Sequence, residues 1–212
     1  MEIPYPIKYY LEHNLTYSLI ELREFNNGIE KFLAEEKDKN RLFTSNNDLD
    51  IKKLKIEKLH IDFSKSFPNI LRASNLTNII TSTEINFKVF CEQILLLDNN
   101  PFNLRDLKAN SDFEKIKIVL KKVAKIDFSK IENEWNFIDN SRLIRNKLVH
   151  HQGVINSSHH DFNKLTKFID ENQNFFNKYL DNGVYYHIKI EKEFIYELIN
   201  QIFKLIEKIK EM

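Results

Sequence analysis

Ser141-Arg-Leu-Ile-Arg-Asn-Lys-Leu-Val-His-His-Gln-Gly-Val-Ile155 gathers two arginines, an asparagine and two adjacent histidines near the end of a helix that Gly153 stops. Fixed guanidinium charges, an amide, and imidazoles that titrate near neutrality are together enough to handle a phosphodiester. Polar residues elsewhere lie scattered along amphipathic helices. Upstream, Ser129-Lys-Ile-Glu132 has the spacing of a capping box and predicts the start of this helix.

Three glycines and four prolines in 212 residues predict long helices with few tight turns. After Pro4 and Pro6, Leu15, Leu19, Leu22, Ile29 and Leu33 recur every three or four positions, with Asn26 the one polar break in the stripe. The charged run over 35–53 predicts a solvated connection, and 51–61 alternates in a way that fits a short helix or a strand. Ile-Asp-Phe-Ser-Lys occurs at 61 and again at 126 without matching flanks, so it is a coincidence rather than a repeat; Ser64 and Ser129 are both candidate N-caps. A second long helix is predicted from Pro68 to Leu97, burying Leu76, Ile80, Phe87, Cys91 and Ile94 and stopped by Asn99-Asn100-Pro101. The capping box Ser111-Asp-Phe-Glu114 opens a further helix through Ala124. Its outer face carries Lys115, Lys117, Lys121, Lys122 and Lys125, the densest positive patch on the chain. The ordinary reading of such a patch is a solvated helix face, and the alternative is a surface for an RNA backbone.

Beyond Gly153, Asn156-Ser-Ser-His-His160 reads as a polar loop leading into a helix marked by Phe162, Leu165 and Ile169. Asn182-Gly183 precedes Val184, Tyr186, Ile188 and Ile190 alternating with Tyr185, His187 and Lys189, which predicts a strand and a small hairpin over 176–190. The last helix, Glu191 to Glu211, places Phe194, Leu198, Ile202, Leu205 and Ile209 at helical spacing. The predicted fold is all-α, an antiparallel bundle of four to five main helices with this hairpin attached.

Arg145-Asn146-Lys147-Leu148-Val149-His150 resembles the Arg-polar-x-x-x-His signature of the HEPN family, helical-bundle domains found in RNA-cleaving toxins and in antiviral and CRISPR-associated nucleases. An Arg followed four to six residues later by a His arises about 0.6 times by chance in this composition, and Asn directly after the Arg lowers that to about 0.07. Trp135, Leu143, Ile144, Leu148 and Gly153-Val154-Ile155 look like the flank that many bacterial members carry. Phe67-Pro-Asn-Ile-Leu-Arg72, running on to Thr83-Glu84, is similar to their opening helix. The resemblance implies a HEPN-like bundle over 64–212 with an N-terminal helical extension over 1–63. That family builds its site across a pair of domains, so a single motif copy implies a homodimer. It also implies an RNA substrate, a role as a toxin or antiphage effector, and an antitoxin or defence-system partner that holds it in check.

Cleaving RNA without a metal requires the 2′-hydroxyl to lose a proton, the leaving 5′-oxygen to gain one, and the charge on phosphorus to be stabilised. His150 is assigned as general base or acid, Arg145 as phosphate clamp and Asn146 as orienting group, with His151 the rival imidazole. At about 100° per residue, Asn146 and His150 share a helix face whereas Arg145 lies roughly 140° from His150. The reach of the Arg side chain, a distorted helix end or a second subunit is needed to bring them together. Simpler roles exist for each: a His at a helix C-terminus complements the dipole, and Arg145 fits equally as the partner of a carboxylate such as Glu84. His159-His160-Asp161 taken with His150-His151 lacks compact metal-finger spacing, so no metal or other cofactor is expected. Tyr185, Tyr186 and His187 are candidates for stacking on bases, although exposed strand positions explain them as well.

Hydrophobic residues make up 42% and charged residues 30% of the chain, and the formal net charge is +1, so any RNA site is a local patch rather than a global field. The single Cys91 excludes an internal disulfide, and its apolar surroundings predict a buried thiol. No apolar run approaches a membrane span, and Met1-Glu-Ile-Pro4 does not look like a signal peptide, so a cytoplasmic protein is expected. The competing functional class is a catalytically silent HEPN-like RNA- or protein-binding subunit of a defence or regulatory assembly.

Overall fold

Pro4 caps the first helix from outside: its carbonyl accepts the Ile7 and Lys8 amides at 3.0 and 3.2 Å, and helix α1 (Tyr5–Thr44) runs on from there. The computed structural model describes residues 3–44, 58–59, 61–97, 102–181 and 185–212. Over these the chain is mostly helical with a small antiparallel sheet, as its sequence predicts. Helix α2 spans Phe67–Leu97, α3 Asp112–Ile118, α4 Glu132–His151, α5 Phe162–Glu171 and α6 Lys192–Glu211. Strands β1 (Val154–Asn156), β2 (Phe176–Asp181) and β3 (Tyr185–Ile190) form the sheet in the order β1-β3-β2.

The sequence stripes mark the buried faces. Leu15 and Leu19 of α1, Phe87 and Cys91 of α2, and Phe194, Leu198, Ile202 and Leu205 of α6 are each 0% exposed. Burial pushes the Cys91 thiol far above its ordinary pKa, which keeps it protonated and unreactive.

Three local expectations are corrected. The charged run does not end α1, which stays helical to Thr44; Glu36 and Lys39, three apart, pair at 2.5 Å on its surface. The remainder of that run, from 45, and most of 51–61 lie outside the described residues. Ser129 does not cap α4, because the Asp127 carboxylate takes both the Ser129 amide at 3.1 Å and its hydroxyl at 2.6 Å, closing a 3₁₀ turn over Phe128–Lys130 instead. Ser64 likewise falls inside a π-helical turn, Asp62–Ser66, that runs straight into α2. By contrast, Ser111 accepts the Glu114 amide at 3.2 Å and caps α3 as predicted.

Packing divides the chain into two units. The first comprises Met1–Glu21, Thr77–Asn146 and Tyr196–Met212. Its centre is Trp135, stacked on Phe113 at 4.2 Å and met edge-on by Phe87 and Phe128 at 6.3 and 5.4 Å. At its margin Lys210 pairs with Glu12 at 2.6 Å, while Lys208 pairs with Glu134 at 2.7 Å.

The second unit comprises Leu22–Leu76 and Lys147–Ile195. Asn26, the polar break in the α1 stripe, is buried and accepts a 2.9 Å hydrogen bond from the Asn75 amide. Arg72 binds both Glu30 oxygens at 2.7 and 2.9 Å and reaches Glu191 at 3.1 Å and the Ile190 carbonyl at 3.2 Å, joining α1, α2 and β3. The predicted hairpin forms, with Phe176 opposite Ile190; its Asn182-Gly183 turn lies outside the described residues. A third strand, β1, was not predicted, and its Val154 stands opposite His187. Gly153 introduces it with φ +80°, and a Cβ there would lie 2.7 Å from the Ile188 carbonyl oxygen, so glycine is required on both counts.

Candidate functional site

Helix α4 carries the whole motif on unbroken α-helix from Glu132 to His151. It ends where Gln152 turns left-handed at φ 52° and the Gly153 amide returns to the Lys147 carbonyl at 2.9 Å.

Arg145 is partly buried, and its Nη2 donates to Glu84 of α2 at 3.3 Å, a long contact for a charged pair. Its Nε is buried with no hydrogen-bond partner, so the guanidinium is held from one side only. Burial holds the Glu84 carboxyl above its ordinary pKa, and the positive charges of Arg145 and Arg142 only partly offset this. Arg142, by contrast, is fully occupied: it pairs with Asp139 at 2.8 Å and lies over the Phe113 ring at 5.8 Å. Asn146 is half-buried, and His150 is exposed beside Val149, itself 50% exposed, in the last turn. The step from Arg145 to His150 is five residues within one α-helix, about 140° of turn at the regular 100° per residue.

The second packing unit holds a group of its own that sequence reasoning passed over. Lys147, inside the motif, is buried; its ammonium stands 2.8 Å from Asp161 and 3.2 Å from His159 Nδ1. His159 in turn lies 4.9 Å, ring to ring, from His151. Desolvation, then the neighbouring Lys147 charge, holds the His159 imidazole below its ordinary pKa. Ile138, Ser141, Ile144 and Lys147 are all buried at three-residue steps, and each step falls about 60° short of a full turn, so the buried line winds around α4 and reaches Lys147.

His159 and Asp161 therefore face a lysine ammonium, and among the described residues no three His, Cys, Asp or Glu side chains are grouped to hold a metal ion. Neither is any described helix long and apolar enough to cross a membrane. His187 is exposed on β3. No family model, curated protein or solved structure matches the chain.

Proposed function

We propose that this chain is a metal-independent endoribonuclease of the HEPN type, working in the cytoplasm as a toxin or antiphage effector through a composite site at a homodimer interface. The observation that carries the reading is the pairing, on one helix, of an exposed His150 with an Arg145 whose guanidinium is only half engaged. An exposed imidazole near neutrality serves either proton transfer, to the leaving 5′-oxygen or from the 2′-hydroxyl. A guanidinium with an unpaired Nε and one long contact, to Glu84, has donors left over for phosphate oxygens. Asn146, on the His150 face, orients the scissile group. The 140° separation favours a second copy of the chain, whose His150 meets this Arg145 across a two-fold axis. An antitoxin or defence-system partner would then act by covering that groove.

One observation favours a second reading. The Arg145–Glu84 contact is what a structural ion pair between α2 and α4 looks like, and a silent RNA- or protein-binding subunit needs no more.

Cleavage of single-stranded RNA in excess chelator separates the two. The expected product ends in a 2′,3′-cyclic phosphate and disappears with His150→Ala, while an all-deoxy strand stays intact. A strict magnesium requirement, or cleavage undiminished by His150→Ala, overturns the proposal. Light scattering gives the assembly: a monomer at micromolar concentration that still cleaves RNA removes the two-chain site.

A further inference from the structure

We infer that the lysine face of α3 and the π-helical turn that follows it is a docking surface for the phosphate backbone of single-stranded RNA, separate from the α4 motif; this rests on the reading of the chain as acting on RNA. Phe113, Ile116, Val119 and Leu120 are buried, whereas Lys115 and Lys117 are half-buried and Lys121, Lys122 and Lys125 are exposed. Among the described residues none of the five forms an ion pair. At the start of the helix Asp112 binds Lys88 at 2.7 Å, while Glu114 accepts the neutral Asn110 amide at 2.9 Å and keeps its charge. Engagement by Lys88 holds the Asp112 carboxyl below its ordinary range. Five lysines beside the one free Glu114 charge leave this face net positive.

The backbone is shaped to match. At Val119–Val123 the helix widens to a π turn, closed by the Ala124 amide on the Val119 carbonyl at 3.0 Å; such turns are rare overall and frequent at functional sites. A groove of about 290 Å³ opens there, lined by Glu114, Lys117, Ile118, Lys121 and Lys122. Lys125 ends the turn at φ 56°, a left-handed conformation that glycine or asparagine relieves more cheaply than lysine. Lys117 is steadied 5.5 Å over the Phe128 ring. Lys117 stands on the last turn of α3, Lys121 and Lys122 on the π turn and Lys125 just past its end, so the charges follow one another along the chain as a run of phosphates would require. Ile118 and the lysine stems give the groove a small apolar lining, far short of the continuous apolar face with which a helix enters a lipid bilayer.

The test uses a fluorescent, uncleavable 2′-O-methyl oligouridylate and the full chain, with anisotropy read against salt. Lys121→Gln/Lys122→Gln should weaken binding about tenfold and make the log–log salt slope shallower by about 1.4, at 0.7 per lost phosphate contact on a single strand. The control Lys31→Gln/Lys167→Gln, which removes the same charge from exposed positions elsewhere, should bind like the parent. An unchanged affinity for the α3 variant, equal loss with the control, or binding to anionic vesicles in place of the oligonucleotide overturns the inference. Cleavage by a parent whose α3 variant binds normally leaves the ribonuclease reading standing alone; lysine-dependent binding without cleavage does the reverse.

Discussion

Lys147 and Asp161 form an ion pair at 2.8 Å with only 7% and 8% of their side chains exposed, tying the last turn but one of α4 to the loop before α5. Removing one partner leaves the other charge buried alone, so Lys147→Met should cost about 3–5 kcal/mol in urea unfolding. Lys147→Met/Asp161→Leu should recover much of that loss. Additive losses from the two single substitutions would show that the pair is not coupled.

Glu84 gives a pH dependence of definite sign. Its folded-state pKa lies above the ordinary value of 4.5, so its stabilising contribution is complete below that pH and is lost as pH rises through the folded value. The melting temperature of the parent should therefore fall relative to Glu84→Gln on going from about pH 4.5 towards neutrality. A parent that gains on Glu84→Gln with rising pH would mean that the Arg145 contact outweighs burial.

His159 has the opposite sign. Its pKa is depressed below 6.5, so its contribution is complete above that pH and is lost on acidification through the folded value. Protonation places a second cation 3.2 Å from Lys147 and against His151. Hydrogen exchange of the β1 amides should accelerate below about pH 6.5, and His159→Gln should suppress the acceleration. Identical profiles in the two proteins would assign the effect elsewhere.

Gly153→Ala should destabilise by about 2–3 kcal/mol, because it strains a left-handed residue and drives a methyl group against the Ile188 carbonyl. Differential scanning calorimetry checks this, and a change under 0.5 kcal/mol, roughly that of a neutral surface substitution, would mean the strand moves aside.

The helices were legible because burial repeats along them every three or four residues, from Leu15 in α1 to Ile209 in α6. What escaped was set by partners distant in sequence. Val154–Asn156 has no strand signature of its own and becomes β1 only because β3 offers it an edge. Lys147 looks like one more charged residue on a helix until the winding stripe and Asp161 bury it. Charge alone also misled: the run after Leu33 reads as loop, yet opposite charges three and four apart sustain an exposed helix. At the motif, the Arg145–Glu84 contact is one of the two roles that the residues leave open.

The first packing unit is assembled from three segments that are far apart along the chain, and the last begins at Tyr196. Synthesis proceeds from the N-terminus, so while the ribosome is still translating, Leu198, Ile202 and Leu205 are not yet available to fill the places where they are 0% exposed. The other two segments of the unit must wait for them. A nascent chain therefore cannot complete the first packing unit until the α6 residues have emerged.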